Sequence, residues 1–224
     1  METTLHRQLK ERYATEGAVL EQRLGRFRID VVQRNQLVEI QLAPLAAIRD
    51  KIAALLKKHR VLVVKPIIVR KQLVKRRRAG GPVVSRRRSP KQGKLLDIFE
   101  ELVHFTRVFP HRRLTLEVLL VEIEEWRYPG HGRRRWRRDN DHQIEDQQLV
   151  DVHGVWAFRT AADLCQMLPP GLPRPFHTGQ LAEQLGVARW IAQRMAYCLR
   201  ETGAIHSIGK LRGAWLYEQR SKAA

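Results

Sequence analysis

Apolar and polar positions change period several times along the first seventy residues, and each change marks an element. Leu5 and Leu9, four apart in TTLHRQLKERY, predict a short amphipathic helix. After Gly17, the segments AVLEQRL, RFRIDVV and LVEIQL read as strands, divided by Gly25 and by the polar turn at Arg34 and Asn35. Pro44 opens PLAAIRDKIAALLKK, in which Leu45, Ile48, Ile52, Leu55 and Leu56 form one helical stripe. VLVVKPIIV reads as a buried strand. KRRRAGGPVVSRRRSPKQGK is either a basic hairpin tip turning at Gly80 and Gly81 or a mobile loop. LLDIFEELVHF returns to helix, and LTLEVLLVEIEEW alternates as a strand in its second half. From about 127 to 150 the chain turns from basic to acidic and polar, so a boundary is expected there. That gives domains at 1–150, with a basic insertion around 70–94, and at 151–224.

The strand pattern raises a question of charge. A hairpin turning at Arg34-Asn35 sets Asp30 opposite Glu39, and a turn at Leu24-Gly25 sets Ile29 opposite Leu20. One face then gathers Leu20, Phe27, Ile29, Val31, Val38, Ile40 and Leu42, which must be core. The other gathers Glu21, Arg28, Asp30, Glu39 and Gln41. Like charges opposed on a strand pair destabilise it, so the two carboxylates need a cation. Arg28 on the diagonal is one candidate. A divalent metal is the other, because Mg²⁺ (or Mn²⁺) takes few protein carboxylates, keeps several waters and activates one against a phosphodiester.

Composition sharpens the choice of partner. Forty-two Lys and Arg face 23 Asp and Glu, a net charge of +19, and no acidic residue occurs between Asp50 and Asp97. KRRR at 75–78, RRR at 86–88 and RRRWRR at 133–138 concentrate the positive charge. Such runs attract polyanions through counterion release, and nucleic acid fits better than a membrane surface, since no basic helix carries a broad apolar face. Arg76, Arg77, Arg86 and Arg87 are the expected phosphate contacts. No apolar run is long enough to span a bilayer, and the N-terminus lacks the apolar core of an export signal, so a cytoplasmic protein is expected. Cys165 and Cys198 show no pairing or zinc-ligand spacing.

A helix, a strand meander bearing Asp30, a strand bearing Glu39-Ile40-Gln41, then a helix and a buried strand: this order resembles the core of the PD-(D/E)XK nuclease superfamily. The resemblance implies an α/β fold with an α-β-β-β-α-β restriction-endonuclease-like core and a metal held by Asp30 and Glu39. Gln41 stands where Lys is usual, and Ile29 where the family has Pro. Some members carry Gln there, and others move the Lys to the following helix, where Arg49 or Lys51 would serve. The family's acidic residue on the first helix corresponds to Glu2 or Glu11.

FHTGQLAEQLGVARWIAQRMAYCLRETGAIHSIGKLRGAWLYE, residues 176–218, resembles a winged helix-turn-helix. Thr178 is expected to cap its first helix. Residues 188–202 form the second, ended by Gly203, with Ile191, Met195 and Leu199 buried and Ala192 and Cys198 beside them. Arg189, Trp190, Gln193 and Arg194 then point toward a major groove, while Lys210 and Arg212 sit on a wing suited to phosphates. A fragment from about residue 155 has its own apolar stripes and is expected to fold alone. Together the two resemblances imply a Mg²⁺-dependent DNA nuclease. The alternatives are an inactive nuclease-like scaffold that regulates through DNA binding, and an RNA-binding protein. The oligomeric state stays open, a homodimer included.

Overall fold

Thr3 precedes the first apolar position of the opening helix, and its hydroxyl accepts the His6 N–H at 3.3 Å, closing the first turn of α1 (Thr4–Tyr13). This is seen in a computed structural model describing residues 2–130 and 141–220. A meander follows: β1 (Val19–Leu24), β2 (Phe27–Gln33) and β3 (Gln36–Ile40), each antiparallel to the next. The second turn lies at Arg34-Asn35 as the sequence predicts, since Gln33 pairs with Gln36. The first is shifted by one residue. Leu24 pairs with Phe27, so the turn is Gly25-Arg26, with Gly25 at φ 58 in the left-handed region a tight hairpin needs. Leu20 consequently faces Val31 rather than Ile29, and at 41% exposure it is a surface residue, not core.

A 3-10 turn (Leu45–Ile48) leads into α2 (Arg49–Leu55), and β4 (Val61–Arg76) then runs parallel to β3, pairing from Leu37 with Val61 to Ile40 with Val64. The basic stretch is a hairpin: β5 (Val83–Arg88) folds back on the outer half of β4 along the edge that β3 vacates. After α3 (Ile98–Leu102), β6 (Leu114–Pro129) lies parallel to β4, and β7 (His142–Phe158) pairs with β6 from end to end. The fold is therefore mixed α/β, with sheet order β1-β2-β3-β4-β6-β7. Leu5 and Leu9 of α1 cover one face at Val31, Val38, Ile40, Val64 and Leu119; α2, α3 and the C-terminal helices cover the other.

Of the interval from 127 to 150, expected to separate two domains, residues 127–129 end β6 and residues 142–150 begin β7, so the expected boundary at 150 falls inside a strand. The RRRWRR run at 133–138 lies outside the described residues. Beyond β7 come α4 (Ala161–Cys165), α5 (Thr178–Leu185) and α6 (Arg189–Glu201), then a hairpin of β8 (Ile205–Leu211) and β9 (Ala214–Gln219). His177, not Thr178, caps α5: its ring accepts the N–H groups of Gly179 and Gln180 at 3.1 and 3.2 Å, and Gln180 Oε1 accepts the His177 N–H in return. Gly186 takes the left-handed conformation that turns the chain into α6. The buried face of α6 (Ala192, Met195, Cys198, Leu199) belongs to the same apolar cluster as Ile52, Val63, Phe99 and Leu116, with Cys198 Sγ 3.4 Å from Phe99 O. The C-terminal helices thus complete the sheet's core rather than enclosing a core of their own.

Candidate functional site

Asp30 occupies a gap in the strand ladder. Leu20 pairs with Val31 and Gln22 with Ile29, so Glu21 stands level with Asp30 on one side. On the other, the pairing ends at Val31 with Val38, and the next step of that register is Asp30 with Glu39. Three carboxylates on three adjacent strands therefore form one row, where the sheet's regular bonding is interrupted. Glu21 is held at φ 57, unusual for a residue with a side chain. Asp30 Oδ2 accepts the Ile40 N–H at 2.7 Å.

Cations from two helices answer this row. Lys51 of α2 brings Nζ to 2.6 Å from Glu39 Oε1 and also donates to the Arg28 carbonyl. His6 of α1 places Nε2 3.4 Å from Asp30 Oδ2 and 3.1 Å from the Ile40 carbonyl, while its Nδ1 lies 3.0 Å from Glu2 Oε1. Lys10, 3% exposed, pairs with both Glu2 and Glu21, and Arg28 pairs with Glu21. Arg28 does not serve the Asp30 and Glu39 pair directly. His6 and Lys51 do.

The titration of these groups follows from that packing. Burial works against the Asp30 carboxylate, but the His6 ring and the Ile40 N–H outweigh it and hold its pKa below the ordinary value. The Asp30 carboxylate in turn raises His6, against the effect of burial. Burial pushes Glu39 up to about 7, offset only in part by Lys51. Two neighbouring carboxyl groups are thus shifted in opposite directions, one by its partners and one by burial.

The expected site residues divide into two groups. Asp30, Glu39, Lys51 and Glu2 come together, Glu2 reaching the row through His6 and Lys10. Gln41 and Arg49 do not. Gln41 Nε2 donates to the Pro44 carbonyl at 2.9 Å, tying down the loop ahead of α2, and Arg49 is exposed and paired with Asp50 at 3.0 Å. Glu21 was placed on the face of Asp30 and Glu39 but given no role, and His6 and Lys10 were not singled out, although Glu2, His6 and Lys10 are spaced four apart on one face of α1, a ladder legible in the sequence. Among the described residues no group of three or more His, Cys, Asp or Glu side chains is arranged to hold a metal. Two carboxylates still suit Mg²⁺, which fills its remaining positions with water and substrate oxygens. Glu39 Oε1 is buried against Lys51 Nζ at 2.6 Å, so a metal at the row would share this carboxylate with the lysine.

The expected nucleic-acid contacts also separate. Arg189, Trp190, Gln193, Lys210 and Arg212 are exposed on α6 and the β8–β9 hairpin, where Arg189, Gln193 and Trp215 border a cleft of about 200 Å³. Arg194 stacks 4.6 Å from the Trp190 ring and pairs with Glu100 of α3 at 3.3 Å. Arg77, Arg86 and Arg87 are exposed and Arg76 is half-buried; Arg76 and Arg86 pair with Glu145 at 3.0 Å and Glu124 at 2.6 Å, with both guanidinium groups over Trp126. Cys198 is a packing residue, its thiol pushed up to about 12 by burial. No helix among the described residues is long and apolar enough to cross a membrane.

Residues 3–159, from the cap of α1 to the end of β7, match the family described as Domain of unknown function (DUF8091), and the chain belongs to that family. It is also 30% identical over 184 residues to an uncharacterized protein of Treponema pallidum (strain Nichols), a match that covers 81% of this chain and 72% of the relative. No solved structure matches.

Proposed function

We propose that this member of the family is a DNA-processing phosphodiester hydrolase of PD-(D/E)XK type, working in the cytoplasm and guided to DNA by a C-terminal winged helix. The observation that carries the reading is the convergence of Asp30, Glu39 and Lys51 at the C-terminal end of β3, within the order α1-β1-β2-β3-α2-β4. Lys51 supplies from the helix the positive charge that Gln41 lacks. Asp30 and Glu39 would hold Mg²⁺ (or Mn²⁺), which supplies a water activated at neutral pH and neutralises charge on the phosphate. Lys51, beside Glu39, is set to meet the charge that develops on the phosphoryl oxygens. His6 orients the Asp30 carboxylate and keeps it ionised. Gln41 positions rather than reacts: by fastening Pro44 it fixes the entry to the helix that carries Lys51.

The helix-turn-helix of α5 and α6, followed by the β8–β9 hairpin, supports the DNA-guiding role, with Arg189, Trp190 and Gln193 outward on α6 and Lys210 and Arg212 on the hairpin. A chain of contacts joins this module to the loop ahead of α2: Arg194 meets Glu100, and the adjacent Glu101 accepts the Leu45 N–H at 2.8 Å and pairs with buried Lys65. The deciding experiment is nicking of plasmid DNA in Mg²⁺ or Mn²⁺ and its loss in EDTA. One observation favours a second reading, a DNA-binding scaffold without chemistry: both carboxylates already have a protein cation beside them. Salt-sensitive DNA binding with no cleavage in any divalent metal would select it.

A further inference from the structure

The sheet extends far beyond the carboxylate row, and in one direction. β3 and β4 are parallel and part after Ile40 and Val64; β4 then continues from Lys65 to Arg76, with β6 alongside as far as Arg127. At about 3.3 Å per residue this is about 40 Å of strand beyond Glu39, heading the way β3 points. The row lies at the foot of this arm.

Charge on the arm is sorted. Acids of β6 and β7 engage one set of cations within the sheet: Glu122 with Arg70 at 3.5 Å, Glu125 with Lys71 at 2.7 Å, and the Glu124 and Glu145 pairs with Arg86 and Arg76. Lys75, Arg77, Arg78, Arg87 and Arg88 are exposed on β4, the turn and β5, in a stretch with no acidic residue from Asp50 to Asp97. Protecting the free edge of β5 from other strands would need only a charge or two. Leu73 pairs with Arg87 and Lys75 with Ser85, so Lys75 and Arg87 share one face of the β4–β5 ribbon while Arg86 and Arg88 share the other. Lys75 and Arg87, with Arg77 and Arg78 at the turn, present one sign to a repeating polyanion, and duplex DNA carries a phosphate about every 1.7 Å of axis.

We propose that duplex DNA lies along this arm, with the scissile phosphate at its foot and roughly one helical turn, about 10 base pairs, running one-sidedly to the tip. The inference rests on the DNA-processing reading and adds the form and extent of the substrate: a duplex flank on one side of the cut. The test is fluorescence-anisotropy binding by the full chain in EDTA, using duplexes from about 6 to about 24 base pairs, comparing wild type with Lys75→Ala/Arg77→Ala/Arg78→Ala/Arg87→Ala. Wild-type affinity should climb with length and level off once the arm is covered. The variant should lose that climb, and its slope of log affinity against log salt should fall by about 0.9 for each phosphate contact removed. If the fourfold variant fails to fold, Arg77→Gln/Arg78→Gln, confined to the turn between β4 and β5, should show a smaller loss of the same kind. Equal length and salt dependence in variant and wild type overturns the proposal, as does tighter binding to single strands, to RNA or to anionic vesicles than to duplex DNA. Because metal is absent, failure of cleavage elsewhere leaves this result standing, and failure here leaves the hydrolase reading standing.

Discussion

Lys51 stands 2.6 Å from Glu39 although one is on a helix and the other on the strand before it, with Gln41 and a loop fixed at Pro44 between them. The cation that the strand's own sequence lacks is supplied by the next element, so its removal should cost the chemistry more than the fold. Lys51→Met is expected to lower kcat/KM for DNA cleavage by about 10²–10³-fold, the scale of losing one group that stabilises transition-state charge. DNA binding in EDTA should change little. Lys51→Arg should restore part of the rate, and cleavage by Lys51→Met at the wild-type rate would exclude the assigned role.

The proposed metal site can be tested apart from the proposed cleavage. Glu39→Gln removes a carboxylate that burial disfavours, so thermal stability in EDTA should hold or rise, whereas Asp30→Asn takes from His6 the carboxylate it pairs with and should lower it at neutral pH. Stabilisation by added Mg²⁺ or Mn²⁺, about 2.7 kcal/mol at a hundredfold excess over Kd, should vanish in both. Scanning calorimetry with and without metal checks this; equal metal-induced shifts in wild type and variants would remove Asp30 and Glu39 as ligands.

The titration of Glu39 gives a signed pH effect. Its folded pKa, about 7, is above the ordinary 4.5, so between these values the folded state binds a proton the unfolded chain has lost. Its contribution is full below about 4.5 and disappears as pH rises through about 7, a change on the order of 3 kcal/mol. His6, also raised, loses its contribution as pH rises through its own folded pKa. Stability should therefore decline from pH 5 to pH 8 in wild type and decline less in Glu39→Gln. Denaturant midpoints across that range decide it, and parallel curves would mean that Glu39 is not the titrating group.

What the sequence disclosed and what it hid have one physical cause. Local periodicity placed α1, the meander, β4, β6 and the buried stripe of α6, because each pattern reports only which side of one element meets a core. It could not say that the cores are shared. β7 is polar and mostly outward at the sheet's edge, so 142–150 gave no strand signal and looked like a linker until paired with β6. The Asp30 and Glu39 row was legible from one turn, Arg34-Asn35, whereas Glu21, placed on the right face, was set opposite Arg28 rather than Asp30 by the one-residue difference at Gly25-Arg26. His6 and Lys10 were hidden because only the tertiary fold lays α1 against the ends of β2 and β3.

The shared core makes the last prediction. Met195, Cys198 and Leu199 are fully buried in the cluster that contains Phe99 and Leu102 of α3, Phe105 and Leu116. A fragment from about residue 155 onward would expose that whole face of α6, so it should not show a cooperative unfolding transition, while the full chain should unfold in one step. Phe99→Ala, which opens a cavity between α3 and α6, should cost about 3–5 kcal/mol. It should lower hydrogen-exchange protection both in β6 (Leu114–Pro129) and in α6 (Arg189–Glu201), since the two meet one cluster. Loss of protection confined to α6, or a fragment that melts cooperatively on its own, would show instead that the C-terminal helices form an independent unit.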